Sequence, residues 1–186
     1  MLAALVLALL LMLIWLAARY EASQVQSRLE RDAAEAVGDI RAGLSHNLQS
    51  LQALQFHDPS PEVWAADAVA LLRVQRELLR IEWRDSQHRE SVHVDTPFHP
   101  SVFDRLGRDS VRSEVMQTCA AAQRVSGPSY STSYFVPMRD GLGIEVMELC
   151  LPLVSAGIVK GFLVATYSLQ DLLDGLARQF GATCRE

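Results

Sequence analysis

The sequence predicts an α+β chain: an N-terminal transmembrane helix and a long stalk helix, followed by a domain whose central antiparallel sheet of about five strands is flanked by helices. Three observations predict it. Leu2 to Ala18 is one unbroken apolar run. Behind it, apolar residues recur in steps of three and four, without a proline, as far as about Phe56. From Ile81 the period changes to two, in two blocks separated by a helical stretch.

The apolar run comes first. About 17 apolar residues are the lower limit for crossing a hydrocarbon core, and no charge interrupts Leu2 to Ala18, so the run reads as an anchor over residues 1–18. A cleaved signal peptide is the competing reading, with Ala17 and Ala18 near a cut. Against it, no basic residue precedes the run, and the run exceeds the usual apolar region of a signal, roughly 7–15 residues. Arg19, Arg28 and Arg31 follow the span and none precedes it, so the positive-inside rule taken literally places the rest of the chain in the cytoplasm. Met1 stands almost at the first apolar residue, and a basic extension outside this sequence would reverse that count.

Residues 19–57 form the stalk. Val25, Leu29, Ala33, Val37, Ile40, Leu44, Leu48 and Leu51 make one apolar stripe, and Glu21, Gln24, Arg28, Arg31, Asp32, Glu35, Asp39 and Gln49 lie opposite. Such a helix needs a partner face, supplied by its own domain or by a second copy in a parallel dimer. It stops at His57-Asp58-Pro59-Ser60-Pro61, where two prolines remove backbone donors. A second helix runs from Glu62 to about Arg80 with Val63, Ala66, Val69, Leu72, Leu78 and Leu79 as its apolar positions. Ile81 and Trp83 then alternate with Glu82 and Arg84, Asp85-Ser86-Gln87-His88 turns, and Val92 and Val94 alternate with His93 and Asp95, giving a hairpin. After the loop Thr96 to Pro100, a helix from about Val102 to Val125 breaks near Gly107-Arg108-Asp109, and Val111, Val115, Cys119 and Ala122 mark its buried face.

Gly127-Pro128 opens the most strand-like part. Ser129 to Val136 reads as one strand, Arg139 to Gly143 as a turn, Ile144 to Val154 as a strand, and Lys160 to Tyr167 as a strand apolar on both faces and so central to its sheet. Ser168 caps a last helix with Asp171 at its N3 position, a stripe of Leu172, Leu173, Leu176 and Phe180, and Gly181 past its end.

Composition narrows the function. A formal net charge of −5 and the lack of any Lys/Arg run argue against a nucleic-acid surface. The three cysteines, Cys119, Cys150 and Cys184, fit no zinc-ligand spacing, although one bridge between Cys119 and Cys150 stays open in an oxidising compartment. His88, His93 and His99 match no common metal pattern, so no metal and no cofactor is expected. No glycine-rich nucleotide loop and no Gly-x-Ser-x-Gly occurs, and an enzyme is not expected. Ser45-His46-Asn47-Leu48 departs from a kinase phosphoacceptor box, which has an acidic residue directly after its histidine; His46 reads as a solvated side chain.

The order of elements behind an anchor and stalk, with the strands GPSYSTSYFVP and EVMELCLPLV and the stretch GIVKGFLVATYSLQDLL, resembles the extracytoplasmic Cache or PDC sensor module. This is a PAS-like fold of bacterial sensor kinases, chemoreceptors and diguanylate cyclases. The last stretch is similar to those in histidine kinases resembling four-carbon dicarboxylate sensors. The resemblance covers roughly Arg19 to Phe180, and implies a PAS-like Cache/PDC domain over residues 58–181, with residues 182–186 beginning a linker or second module. It implies a soluble domain in the periplasm on a bacterial inner membrane, in a fragment of a longer two-component sensor histidine kinase. It implies a small organic acid or amino acid as ligand, a carboxylate first, and a shift passed through the stalk of a homodimer.

Candidate ligand contacts come from the strands and from that resemblance. Tyr130, Thr132, Tyr134 and Val136 would share one face of a strand, giving rings and hydroxyls. Glu148 is the anomaly: a carboxylate among Val146, Cys150 and Pro152 must be exposed, paired, or directed at a ligand amine, and an ion pair with Arg84 or Arg139 is the competing account. For Tyr130 and Tyr134 that account is core packing, as it is for Trp83 and Tyr167. In the resembling family the ligand lies between the sheet and its cover, and carried onto this sequence the region includes Arg84, His93, Tyr130, Thr132, Tyr134 and Glu148. The alternative function is a membrane-anchored protein-interaction module without a small-molecule ligand.

Overall fold

The computed structural model describes residues 2–54, 60–138 and 143–175; in its first helix the side chains of 2–11, 14, 17, 18 and 21–23 lie outside the description. Two compact units result, Met1–Gly43 and Leu44–Glu186. α1 (Leu2–Ala53) makes up the first unit and ends in the second. Among the described residues no helix is long and apolar enough to cross a membrane. The side chains that begin the apolar run are outside that set. Val25, Leu29 and Val37 of the stripe are exposed.

In the second unit the end of α1 is followed by α2 (Pro61–Val74), β1 (Leu78–Asp85) and β2 (Glu90–Asp95). A 3-10 turn (Arg108–Val111) leads into α3 (Arg112–Val125), and β3 (Ser129–Tyr130), β4 (Tyr134–Pro137), β5 (Gly143–Ser155) and β6 (Ile158–Ser168) complete the sheet. A short α4 spans 169–175. The sheet has six strands, all antiparallel, in the order β2-β1-β6-β5-β3, with β4 also on β5. β6 is central, as its two apolar faces require.

Each face of this sheet has its own cover. Ile81, Leu149, Leu151, Leu163, Ala165 and Tyr167 meet Leu51 of α1, Leu54 just past its end, and Trp64, Ala68 and Leu72 of α2. Trp83 joins them edge-on to Trp64, 5.8 Å between ring centres, which places it in the core. The opposite face carries Cys150, Phe162 and Val164 under Val115, Cys119 and Ala122 of α3. Beside these, Leu79, Val136 and Val146 meet Val102, Phe103 and Val111 of the segment before α3. A disulfide joins Cys119 to Cys150, 5.1 Å apart at Cα, and ties α3 to β5.

Several boundaries differ from the sequence reading. α2 ends at Val74, so Leu78 and Leu79 are strand residues. Its buried stripe is Trp64, Ala68 and Leu72, while Val63 is exposed. The segment 101–107 is a run of turns, not the first half of a helix. Ser168 caps α4 as expected, its Oγ accepting from the Asp171 N–H at 3.1 Å. The stop at His57 to Pro59, the turn 139–142 and the end of the last helix, Leu176, Phe180 and Gly181 included, lie outside the described residues.

The strand expected over Ser129 to Val136 is interrupted. Tyr130 pairs with Leu149 but Tyr134 pairs with Val146, so three residues of one chain face two of the other. One extra residue changes the face of everything beyond it. Tyr130 therefore lies on the Leu149 face near Tyr167, 6.4 Å between ring centres, and Tyr134 on the Glu148 face. The common face expected for Tyr130, Thr132, Tyr134 and Val136 does not exist.

Candidate functional site: a buried charge cluster under α3

On β1 the residues Arg80, Glu82 and Arg84 occur at every second position, so all three point to the face covered by α3. Glu82 is fully buried, and Arg80 and Arg84 nearly so. Arg80 Nε donates to Glu82 Oε1 at 2.6 Å, and Arg84 Nε to Glu82 Oε2 at 2.8 Å. Arg80 reaches Glu90 Oε2 at 3.0 Å and Asp95 Oδ1 at 3.2 Å, and Arg84 donates to the His88 carbonyl at 2.8 Å.

Two strands away on β5, Glu148 is also fully buried. Its carboxylate accepts from the Tyr134 hydroxyl at 2.5 Å and from Thr166 Oγ1 at 3.1 Å, and its backbone N–H donates to Ser131 Oγ at 2.9 Å. Arg108, from the 3-10 turn, joins the two halves. Its Nη1 donates to Glu148 Oε1 at 2.7 Å, and its Nε stands 2.7 Å from Glu82 Oε1. The second approach is an ion contact without a directed hydrogen bond, the Nε–H having no aligned acceptor. The Phe103 ring lies over this junction, 4.3 Å from Arg108 Cζ and 5.6 Å from Arg80 Cζ.

Electrostatics follow from that geometry. Burial works against the charge of Glu82, but Arg108, Arg84 and Arg80 outweigh it and hold its pKa below the usual carboxylate value. Burial likewise opposes the charge on Arg108; Glu148 and Glu82 prevail and raise its pKa. Burial, and then the Glu148 charge, push the Tyr134 hydroxyl far above its ordinary value, so it stays a proton donor. Ionised groups taken out of water each lose several kcal/mol of solvation, and apolar residues in their place would serve stability as well or better. The cluster is thus weakly explained by stability alone.

Of the six residues singled out from sequence, Arg84, Tyr134 and Glu148 meet in this cluster. His93 stands at its rim on β2, opposite Glu82 in the strand register, with Nδ1 2.6 Å from Glu90 Oε1. Tyr130 and Thr132 do not join it: Tyr130 is on the other face and Thr132 is exposed. The ion-pair partner of Glu148 is Arg108, not Arg84, and Arg139 lies outside the described residues. Arg80, Glu82, Arg108 and Thr166 were missed. The alternation Arg-x-Glu-x-Arg on a strand was the available signal for Glu82; Arg108, 40 residues from Glu148 in the chain, had none. His88, His93 and His99 are held apart: His88 stacks on Phe162 at 4.5 Å, and His99 Nε2 lies 3.4 Å from Asp171 Oδ2.

No protein-family model and no curated protein matches the sequence. Solved structures do. The sensory domain of the Campylobacter jejuni chemoreceptor Tlp3 aligns with a TM-score of 0.51 at 13% identity, over 74% of this chain and 57% of that one. The ligand-binding domain of the Pseudomonas fluorescens chemoreceptor CtaA, in complex with L-isoleucine, gives 0.47 at 17%, over 75% and 54%. The extracellular domain of the histidine kinase vpHK1S-Z8 gives 0.47 at 14%, over 75% and 61%. The chain thus spans between 54% and 61% of the length of these structures. At such identities the likeness is one of fold alone: the chain shares the architecture of the Tlp3 sensory domain.

Proposed function

We propose that this chain is the ligand-sensing region of a membrane-bound signalling receptor, a two-component sensor histidine kinase, and that the buried charge cluster is where its ligand is read. One observation carries the reading: a sensor-type sheet presents, on the face covered by α3, charged groups whose burial stability does not require. Arg84, Tyr134 and Glu148 are the proposed ligand contacts, with His93 at the rim. The ligand is a small charged organic molecule; the sequence resemblance implies an organic acid or amino acid, whereas a cluster that already holds four carboxylates favours a cationic one. L-Isoleucine bound to CtaA is of that size.

In this reading Leu2 to Ala18 anchors the chain in the inner membrane, the sensor unit faces the periplasm, and α1 carries the response as the stalk of a homodimer. A disulfide suits that compartment, since such bonds persist where the surroundings oxidise. Ligand binding favours one arrangement of the sheet and its cover, and about 1–3 kcal/mol of coupling suffices to bias the signal.

The test is a thermal-shift screen of the full chain against small organic acids, amino acids and amines, because a ligand that binds only the folded state raises Tm. A reproducible, saturable rise that Tyr134→Ala removes while the fold is kept supports the reading. The mutual pairing of the charges favours a second one, a protein-interaction module without a small-molecule ligand. No rise with any compound, from well-folded protein, selects it.

A further inference from the structure

Among the described residues, Arg108 is the one charge at the heart of the cluster that the sheet does not supply. Glu82 and Glu148 are fixed by β1 and β5, and Tyr134 and Thr166 orient Glu148 from β4 and β6. Arg108 enters from above, on the turn that follows Gly107. Its guanidinium is held by two fully buried carboxylates, yet of these two only Glu148 receives directed hydrogen bonds from it, at 2.7 and 3.3 Å, with the Tyr134 hydroxyl accepting another at 3.4 Å. Towards Glu82 the buried Nε–H is unaligned. Tethered to the chain, this cation fits one carboxylate and only touches the other.

The charges around it decide what could replace it. Arg80 is engaged by Glu82, Glu90 and Asp95, and Arg84 by Glu82 and the His88 carbonyl. An incoming carboxylate finds neither guanidinium available and meets four carboxylates already present. With Arg108 removed, Arg80 and Arg84 face Glu82, Glu148, Glu90 and Asp95, and the cluster lacks positive charge. An exchange of one cation for another keeps the balance; an anion in the same place does not.

Resting on the ligand-sensing reading, we propose that the ligand is a small organic cation without a carboxylate, an alkylguanidinium or alkylammonium, which takes the place of the Arg108 guanidinium between Glu82 and Glu148. Arg108 is then an internal stand-in for the ligand, and the segment bearing Phe103 and Arg108 leaves the sheet when the ligand enters. A free cation can turn to donate to both carboxylates, as the tethered one does not. The freed Arg108 side chain regains water, which offsets the loss of its partners. The segment's departure also exposes the Phe103 contact with Val102, Val111 and Val136, so binding loosens the cover next to α3. That motion is the signal this geometry provides.

The experiment uses the full chain with agmatine and putrescine as cationic probes and succinate as the anionic one. Agmatine or putrescine is expected to raise Tm saturably, succinate to leave it unchanged, and Glu148→Gln to lose the response. Arg108→Gln removes the internal competitor and should bind the cation at least tenfold more tightly than the wild type. If that variant does not fold, limited trypsin digestion of the wild type tests the displacement directly: the cation should speed cleavage after Arg105 or Arg108, read by mass spectrometry. A cation that binds without speeding that cleavage and without tighter binding to Arg108→Gln overturns the displacement. A rise with succinate that Arg108→Gln abolishes overturns the ligand class while leaving a sensor. If none of the three probes acts on either protein the proposal fails, and the wider screen then decides whether the sensing reading fails with it.

Discussion

Glu82 keeps its charge because guanidinium groups stand against it, and Glu148 is fully buried against Arg108, so these partners should be worth more than surface ion pairs. Arg108→Ala leaves two buried carboxylates short of a cation and should cost about 3–5 kcal/mol in denaturant unfolding, where an exposed pair would cost under about 1. The acid limb of stability follows from the same groups. His88 is held below its ordinary value of about 6.5, chiefly by burial and then by Arg84, so the unfolded chain binds its proton first and stability starts to fall as pH drops below about 6.5. Glu82 is held below the ordinary carboxylate value of about 4.5, so its contribution is present above that pH and is lost as pH falls further through its folded pKa. Tm measured against pH should therefore decline in two stages; His88→Phe should flatten the first and Glu82→Gln the second. At this scale the sequence was half legible. Glu148 stood out because a carboxylate among Val146, Cys150 and Pro152 violates the pattern of its strand. Its partner did not, because a pairing between a turn and a strand 40 residues away leaves no periodic trace. Glu82 left no sign in an alternation that reads equally as one polar face; α2 covers one face of β1 and the segment bearing Phe103 and Arg108 lies over the Glu82 side.

Between elements, one residue of slip decides which groups can meet. The three residues 131–133 oppose two on β5, and this irregularity separates Tyr130 from Tyr134 although alternation alone joins them. Alternation in a hydroxyl-rich stretch carries no mark of a bulge, which is why the strand was legible and its faces were not. α3 was read correctly along Val111, Val115, Cys119 and Ala122, since a helix stripe needs no knowledge of its neighbour. One contact between the cover and the sheet, and one between strands of the sheet, can each be tested. The Cys119–Cys150 bond closes a separation of 31 residues, so Cys119→Ala with Cys150→Ala should lower unfolding free energy by about 3 kcal/mol; free-thiol titration of the unfolded wild type should find only Cys184 reactive. On β6, Gly161 lets β1 pass close by: a Cβ there would run into the Arg84 carbonyl, which is backbone and does not yield. Gly161→Ala should cost about 1–3 kcal/mol and disturb the β1–β6 ladder, visible as faster amide exchange at Arg84 and Asp85.

For the whole molecule the open matter is what the stalk meets. Scattered apolar side chains on a surface need no explanation, but a repeating stripe does. Val25, Leu29 and Val37 are 60, 64 and 45% exposed in the first unit, on the same stripe whose continuation, Leu51, is fully buried in the second. Steps of three and four end on a buried Leu51 in the second unit, while in the first the same steps run through exposed residues and do not say what covers them. On the proposed reading a second copy is the simplest cover, because anchors in one membrane would set two such helices parallel and in register, and a long seam of this kind associates helices. Leu29→Asp with Val37→Asp puts two charges into that seam. In detergent at matched concentration the full chain should sediment as a dimer and the double variant as a monomer. The melting of the second unit should change by no more than about 0.5 kcal/mol, since exposed substitutions remote from packed features cost little. If both proteins sediment as monomers, the stripe is not a seam between copies, and a signal carried by relative movement of two stalks loses its physical basis. If the variant is monomeric and still responds to ligand by thermal shift, sensing and association are separable. The unit from Leu44 onward would then read the ligand by itself, while the stalk only reports it.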